Sequence, residues 1–175
     1  MKTNIALIGF MGTGKTAVGK RLAEKLGKDF VELDALIERK AGKTVPQIFQ
    51  QDGEIPFREL EIEAAKEVSG KKNVVIACGG GVVLNKINID RLRQESVVVY
   101  LKASPEVILK RTSSDTGERP LLKTNNKAAK VRELLRFRQP FYERAADITI
   151  DTSNSDIDSV VEQIISKVEA DESFA

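Results

Sequence analysis

Histidine is absent from this chain, and cysteine occurs only once. The first absence leaves any proton transfer to another residue type. The second rules out an intrachain disulfide and suits a reducing, cytoplasmic compartment. No dense block of lysine and arginine occurs, and a formal charge of +2 is too small to argue for nucleic acid as a partner. No apolar run reaches the length of a transmembrane helix. The N-terminal run is broken within a few residues by glycine and lysine, which reads as a strand rather than a signal peptide. Internal repeats and low-complexity tracts are also missing. What remains is the composition of an ordinary soluble globule of 175 residues. One domain spanning 1–175 is expected, burying roughly 68–70% of the surface that its unfolded form exposes. A monomer without nucleic-acid or membrane partners is expected.

Short apolar runs alternate with longer amphipathic ones. The runs at 4–8, 30–33, 74–77, 97–101 and 148–150 are nearly continuous in hydrophobicity and rich in valine and isoleucine. They are expected to be strands buried on both faces, as in a parallel sheet. Helices are expected over 16–26 and 55–68. Another opens at Ser104-Pro105, where serine can cap and proline suits the first helical position. Ile157, Val160, Val161, Ile164, Ile165 and Val168 form an apolar stripe that predicts a last helix facing the sheet. This alternation predicts an α/β layered fold with right-handed crossovers. The polar stretch TSSDTGERPLLKTNN, 112–126, is a long loop of the kind that is usually functional or disordered.

The stretch GFMGTGKT, 9–16, follows the first apolar run and matches G-x-x-x-x-G-K-[ST]. Its glycines let backbone N–H groups turn inward around an anion. Lys15 supplies a cation to the β- and γ-phosphates and Thr16 a hydroxyl for Mg²⁺, while the following helix points its positive end at the same place. The loop alone does not name a reaction, because ATPases, GTPases, small-molecule kinases and switches share it.

Glu32 and Asp34 close the second strand, and period-two alternation places them on one side at its C-terminal end, where open α/β sheets bind ligands. One can orient Mg²⁺ through water and the other can accept a hydroxyl proton; alternatively, Asp34 caps a helix starting at Ala35. Arg58 and Glu61 are i, i+3 neighbours on a helix. They read either as a surface ion pair worth ~0–1 kcal/mol or as a held guanidinium fork for a substrate carboxylate. Gly79, Gly80 and Gly81 follow the third strand directly and predict close approach by a ligand. Arg119, in the long loop, can close over phosphates and stabilise transition-state charge, or stand solvated. Arg138 is placed after a helix rich in basic residues.

Together these motifs resemble the shikimate kinases, in the nucleoside-monophosphate-kinase-like P-loop group. The resemblance runs from Ile5 to about Asp151. It rests on GFMGTGKT, VELD ending at Asp34, GE-x-x-FR-x-x-E at 53–61 and GGG at 79–81, with RPLL at 119–122 and R-x-P-x-Y followed by AD at 138–147. It implies a three-layer fold with a five-stranded parallel sheet of order 2-3-1-4-5 flanked by helices. It also implies a mobile lid over about 112–126 and an acceptor-binding region over about 34–62. The activity implied is transfer of the ATP γ-phosphoryl group to the 3-hydroxyl of shikimate, a step toward chorismate, with ATP and Mg²⁺ required. By position, Asp34 would bind the acceptor hydroxyls and act as base, so no histidine is needed. Arg58 and Arg138 would clamp the carboxylate, and Gly80 and Gly81 would line the pocket. Gly12, Thr13, Gly14, Lys15, Thr16 and Ala17 would hold the nucleotide, Arg111 would stack on adenine, and Lys15 with Arg119 would neutralise the transferring group. Thr16 would coordinate Mg²⁺, with Glu32, standing where the family usually has aspartate, contacting it through water. Pro56 must lie in the first turn of its helix to be tolerated, and Ser153 stands where related sequences often carry arginine. A kinase of another polyol acid, such as gluconate, and a nucleotide-binding regulator without turnover remain as alternatives.

Overall fold

The computed structural model describes residues 1–113, 122 and 125–175. Five strands, Asn4–Ile8 (β1), Asp29–Glu32 (β2), Val74–Ala77 (β3), Ser96–Lys102 (β4) and Ile148–Asp151 (β5), form one sheet in the order β2-β3-β1-β4-β5. Every pairing is parallel. The order is the expected one. The helices among the described residues are Lys15–Leu26 (α1), Leu33–Ala41 (α2), Val45–Gln51 (α3), Glu54–Ser69 (α4), Lys86–Glu95 (α5), Pro105–Ser113 (α6), Lys127–Ala145 (α7) and Ile157–Glu169 (α8). None is long and apolar enough to cross a membrane.

The continuous apolar strands are buried on both faces because each face has its own core. Ile5, Leu7, Val75, Val97, Val99 and Leu101 point toward α1 and α8, meeting Val18, Leu22, Val160, Val161, Ile164 and Val168. The alternate residues Ala6, Ile8, Ile76, Val98 and Tyr100 meet Leu33 and Ile37 of α2, Ala64 of α4, Leu92 of α5 and Tyr142 of α7. Ile157 drops out of the expected α8 stripe and is exposed. Two neighbouring strands set the position of the site. From β1 the chain leaves toward β2, whereas from β3 it leaves toward β4, so the loops after β1 and β3 diverge and open a crevice at the strands' C-terminal ends.

Three local expectations are corrected. β2 ends at Glu32, and the chain turns helical at Leu33, whose side chain is fully buried. Asp34 therefore sits in the first turn of α2, not on the strand, and the period-two argument does not reach it; nor does it cap a helix, because Glu32 is the N-cap residue. Arg138 lies inside α7, not after it. Pro140 removes one helical hydrogen bond there, but Val131, Leu135, Arg138, Tyr142 and Ala145 form a buried stripe that carries the helix through. Pro56 falls in the first turn of α4, where its missing N–H has no intrahelical partner to lose. The lid expected over 112–126, and Arg119 with it, lies outside the described residues apart from its edges and Leu122.

Candidate active site

The loop after β1 is shaped by its glycines. Gly9, Gly12 and Gly14 take φ values of +150°, +81° and +96°. A Cβ on Gly9 would stand 2.4 Å from the Leu101 carbonyl oxygen, so no other residue fits. Gly14 is the N-cap of α1 and offers no side chain, which leaves the first-turn N–H groups open to an anion. Lys15 Nζ donates to the carbonyls of Gly9 and Phe10 at 2.6 and 2.9 Å, holding the ammonium over the loop. Thr13 is buried and its Oγ1 donates to Phe10 O at 2.8 Å, so its side chain fastens the loop rather than facing outward. Thr16 Oγ1 donates to Glu32 Oε1 at 2.9 Å, linking the loop to the end of β2.

These residues wall a cavity of about 380 Å³, with Gly12, Gly14, Lys15, Thr16, Ala17 and Arg111 on one side and Glu32, Asp34, Gly79 and Gly80 on the other. Arg111 is pinned by the carbonyls of Gly12 at 3.2 Å and Thr152 at 2.7 Å. Thr152 is itself buried and donates to Thr13 O at 3.2 Å, so the guanidinium is fixed to the loop from behind.

A second cavity of about 280 Å³ adjoins the first and shares Met11, Glu32, Asp34, Gly79 and Gly80 with it. Arg58 and Arg138 line this half, with Phe49 and Phe57 as an aromatic wall whose ring centroids are 4.7 Å apart. The Arg58 side chain is 13% exposed and is held by Glu61 Oε1 at 3.0 Å and Glu54 Oε1 at 3.2 Å. Glu61 is wholly buried, so this is not the surface pair that the local sequence also allowed. Burial raises its carboxyl to about 7, against the opposing pull of the Arg58 and Arg138 charges. Arg138 is 2% exposed, and no carboxylate pairs with it among the described residues. The half-buried Arg58 is paired with Glu61 and Glu54, whereas the buried Arg138 has no paired carboxylate among the described residues, a cation that an anionic ligand would satisfy.

The glycine triplet makes room for side chains. A Cβ on Gly81 would fall 2.3 Å from Arg58 Nη1, one on Gly79 2.9 Å from Asp34 Oδ1, and one on Gly80 3.4 Å from Arg138 Nη1. None of the three needs a positive φ, so space and not backbone conformation demands them. Tyr142 Oη donates to Gly80 O at 2.5 Å and ties the triplet to α7. Cys78 is buried and its thiol is pushed up to about 12, which keeps it protonated and unreactive at neutral pH.

The structure therefore brings Gly12, Gly14, Lys15, Thr16, Ala17, Glu32, Asp34, Arg58, Gly80, Gly81, Arg111 and Arg138 onto the walls of two joined cavities. Thr13 contributes from beneath, and Arg119 lies outside the described residues. Sequence reasoning missed Thr152, Tyr142, Met11 and the Phe49–Phe57 wall. Met11, Phe57 and Tyr142 do stand inside the motifs GFMGTGKT, FR-x-x-E and R-x-P-x-Y, which assign them no role.

Known proteins are similar to this chain in sequence and in fold. The family model for shikimate kinase matches residues 11–169. A shikimate kinase of Caldanaerobacter subterraneus subsp. tengcongensis is 52% identical over 162 residues, covering 93% of this chain and 94% of the relative. The solved shikimate kinase from Acinetobacter baumannii in complex with shikimate superposes with a TM-score of 0.93 at 40% identity, covering 98% of this chain and 96% of that one. A gluconokinase from Sinorhizobium meliloti reaches a TM-score of 0.58 at 20% identity, over 94% and 90% of the two chains, and shares the fold alone. On the extent and identity of these matches, the chain belongs to the shikimate kinase family.

Proposed function

We propose that this protein transfers the γ-phosphoryl group of ATP to the 3-hydroxyl of shikimate, giving shikimate 3-phosphate and ADP on the route to chorismate and the aromatic amino acids. One observation carries the reading: Asp34 stands where the phosphate-loop cavity and the arginine-lined cavity join. A donor phosphate in the first and an acceptor alcohol in the second would meet at its carboxylate. Lys15 and the first-turn N–H groups of α1 hold the phosphates, and Arg111 stacks on the adenine. Arg58 and Arg138 bind the acceptor carboxylate, placing a ring hydroxyl beside Asp34, which takes its proton. Arg119 is assigned to the transferring group by resemblance.

Thr16 Oγ1 and Glu32 Oε1 form an all-oxygen pair beside the phosphate loop. Such a pair fits Mg²⁺, a hard cation that takes few protein ligands and keeps water and phosphate oxygens. When bound, the metal neutralises charge on the phosphate oxygens. Thr16 would hold it directly and Glu32 through water. The longer glutamate reaches the Thr16 hydroxyl, which keeps it at the site that aspartate usually serves.

Both acids offer a carboxylate to Arg58 and Arg138, and it is the Phe49–Phe57 wall that favours shikimate, because the open chain of gluconate has no rigid ring to hold against it. A coupled ADP-release assay across shikimate, gluconate and other polyol acids tests this. Shikimate is expected to give the highest kcat/KM; preference for another acceptor, or no turnover with any, overturns the reading. The same proposal includes a monomer, checked by sedimentation, and a cytoplasmic location, checked by cell fractionation. Gly81→Ala is expected to act as a steric probe. The added methyl displaces the Arg58 guanidinium, so KM for shikimate rises at least about tenfold, the loss of one charged hydrogen bond, while KM for ATP holds. An unchanged shikimate KM would show that the two groups do not compete for space.

A further inference from the structure

We infer that Glu61 is a positioning residue that takes up a proton when shikimate binds, coupling acceptor recognition by Arg58 to the charge state of the carboxyl behind it. This rests on the reading of the arginine-lined cavity as the shikimate site.

The two oxygens of Glu61 differ in their surroundings. Oε1 accepts from Arg58 Nη1 at 3.0 Å. Oε2 is buried and has no hydrogen-bond partner among the described residues. It faces the glycine strip, since a Cβ on Gly79 would lie 3.2 Å from it. A buried carboxylate oxygen without a donor is where a proton removes an unfavourable desolvated charge. The charged groups acting on Glu61 come from three helices, Arg58 on its own, Asp34 on α2 and Arg138 on α7, while the neighbouring Cys78 thiol stays protonated and uncharged. The two cations favour the charged form, while Asp34 and burial oppose it, and the balance leaves the carboxyl near neutrality at about 7. Between pH 7 and 8 the free protein therefore holds a mixture of both forms.

An acceptor carboxylate changes that balance in one direction. It brings a further negative charge against Arg58 and Arg138, drawing their charge away from Glu61, and it expels water from the cavity. Both effects raise the affinity of Glu61 for a proton. The proton comes from solvent, adds to the carboxylate to give the acid, and returns to solvent when the acceptor or its product leaves. Protonated Glu61 still accepts from Arg58 through its carbonyl oxygen, so the guanidinium keeps its position while its charge turns fully to the ligand.

Titration of the whole protein with shikimate at pH 7.5, by calorimetry in two buffers of low and high ionisation enthalpy, measures the proton count directly. Wild type is expected to take up a fraction of a proton per shikimate bound, by linkage. Glu61→Gln supplies a permanently neutral amide of the same shape and is expected to bind with heats independent of buffer. Its shikimate affinity should also stay flat between pH 6.5 and 8.5, where that of wild type falls several-fold. Equal wild-type heats in the two buffers would overturn the coupling alone, as would a buffer dependence that survives in the variant, which would place the proton on Asp34 or elsewhere. An absent binding isotherm would instead overturn the shikimate site, and the coupling with it. If the variant does not fold, carbon NMR of glutamate-labelled wild type decides: one carboxyl should titrate near 7 and move upward with shikimate, and the absence of any such shift ends the inference.

Discussion

Asp34→Asn is expected to lower turnover by roughly 10²–10⁴ while leaving ATP affinity nearly intact. Asparagine keeps the shape of the side chain, which matters because Asp34 Oδ1 packs where a Cβ on Gly79 would come within 2.9 Å. It keeps one acceptor oxygen for the shikimate hydroxyl but cannot take its proton. No other described group in the cleft is placed to replace it. Glu32 Oε1 is bonded to the Thr16 hydroxyl, Glu61 is buried behind Arg58, and Glu38 accepts from the Val45 N–H at 3.2 Å. The chain has no histidine to fall back on. Steady-state kinetics together with direct ATP titration check this. Unchanged turnover would remove Asp34 as the base, and a parallel loss of ATP binding would mean that the substitution has damaged the phosphate loop.

Arg58→Ala is expected to raise KM for shikimate by about 10–100-fold, the range for losing charge-assisted hydrogen bonds to a carboxylate, with ATP binding unaffected. It also has a stability signature. Removing the guanidinium leaves Glu61 buried beside Asp34 with Arg138 as its remaining cation. Glu61 then holds its proton more tightly, so its folded-state pKa, already raised to about 7, rises further above the ordinary carboxylate value. A raised carboxyl means that the folded state binds more protons than the unfolded one, and stability falls as pH rises through the folded value. The variant should therefore melt close to wild type at about pH 5 and increasingly below it between about pH 7 and 9. Thermal melts across that range measure the trend. A deficit independent of pH would contradict the buried pairing, and weakened ATP binding would put α4 at the wrong cavity.

Much of the fold was legible because a parallel sheet with a core on each face writes itself as continuous apolar strands. All five strands were placed to within a residue or two, and Ser104 does act as expected, its Oγ accepting from Val107 N at 3.3 Å. The site was less legible where tertiary packing overrides local pattern. Leu33 is drawn into the core and starts α2 early, moving Asp34 off the strand. Arg138 occupies a core position in the α7 stripe, which polarity and Pro140 concealed. Glu61 and Arg58 have the spacing of an exposed pair, and only the approach of the glycine strip buries them. The helix α3 could have been read from Thr44 and Gln47, whose capping box is formed in the structure. Thr152 gives no sequence signal at all, because its partner Arg111 is 41 residues away.

The central claim is that one cleft sets the terminal phosphate of ATP against a carboxylate-anchored ring alcohol. Phosphorus NMR of the product formed by the purified protein from MgATP and shikimate tests it most directly. Equimolar ADP and a single new phosphomonoester coupled to the ring proton at carbon 3 is the predicted result. ADP released with shikimate left unmodified, or the phosphate on a different oxygen, would contradict it.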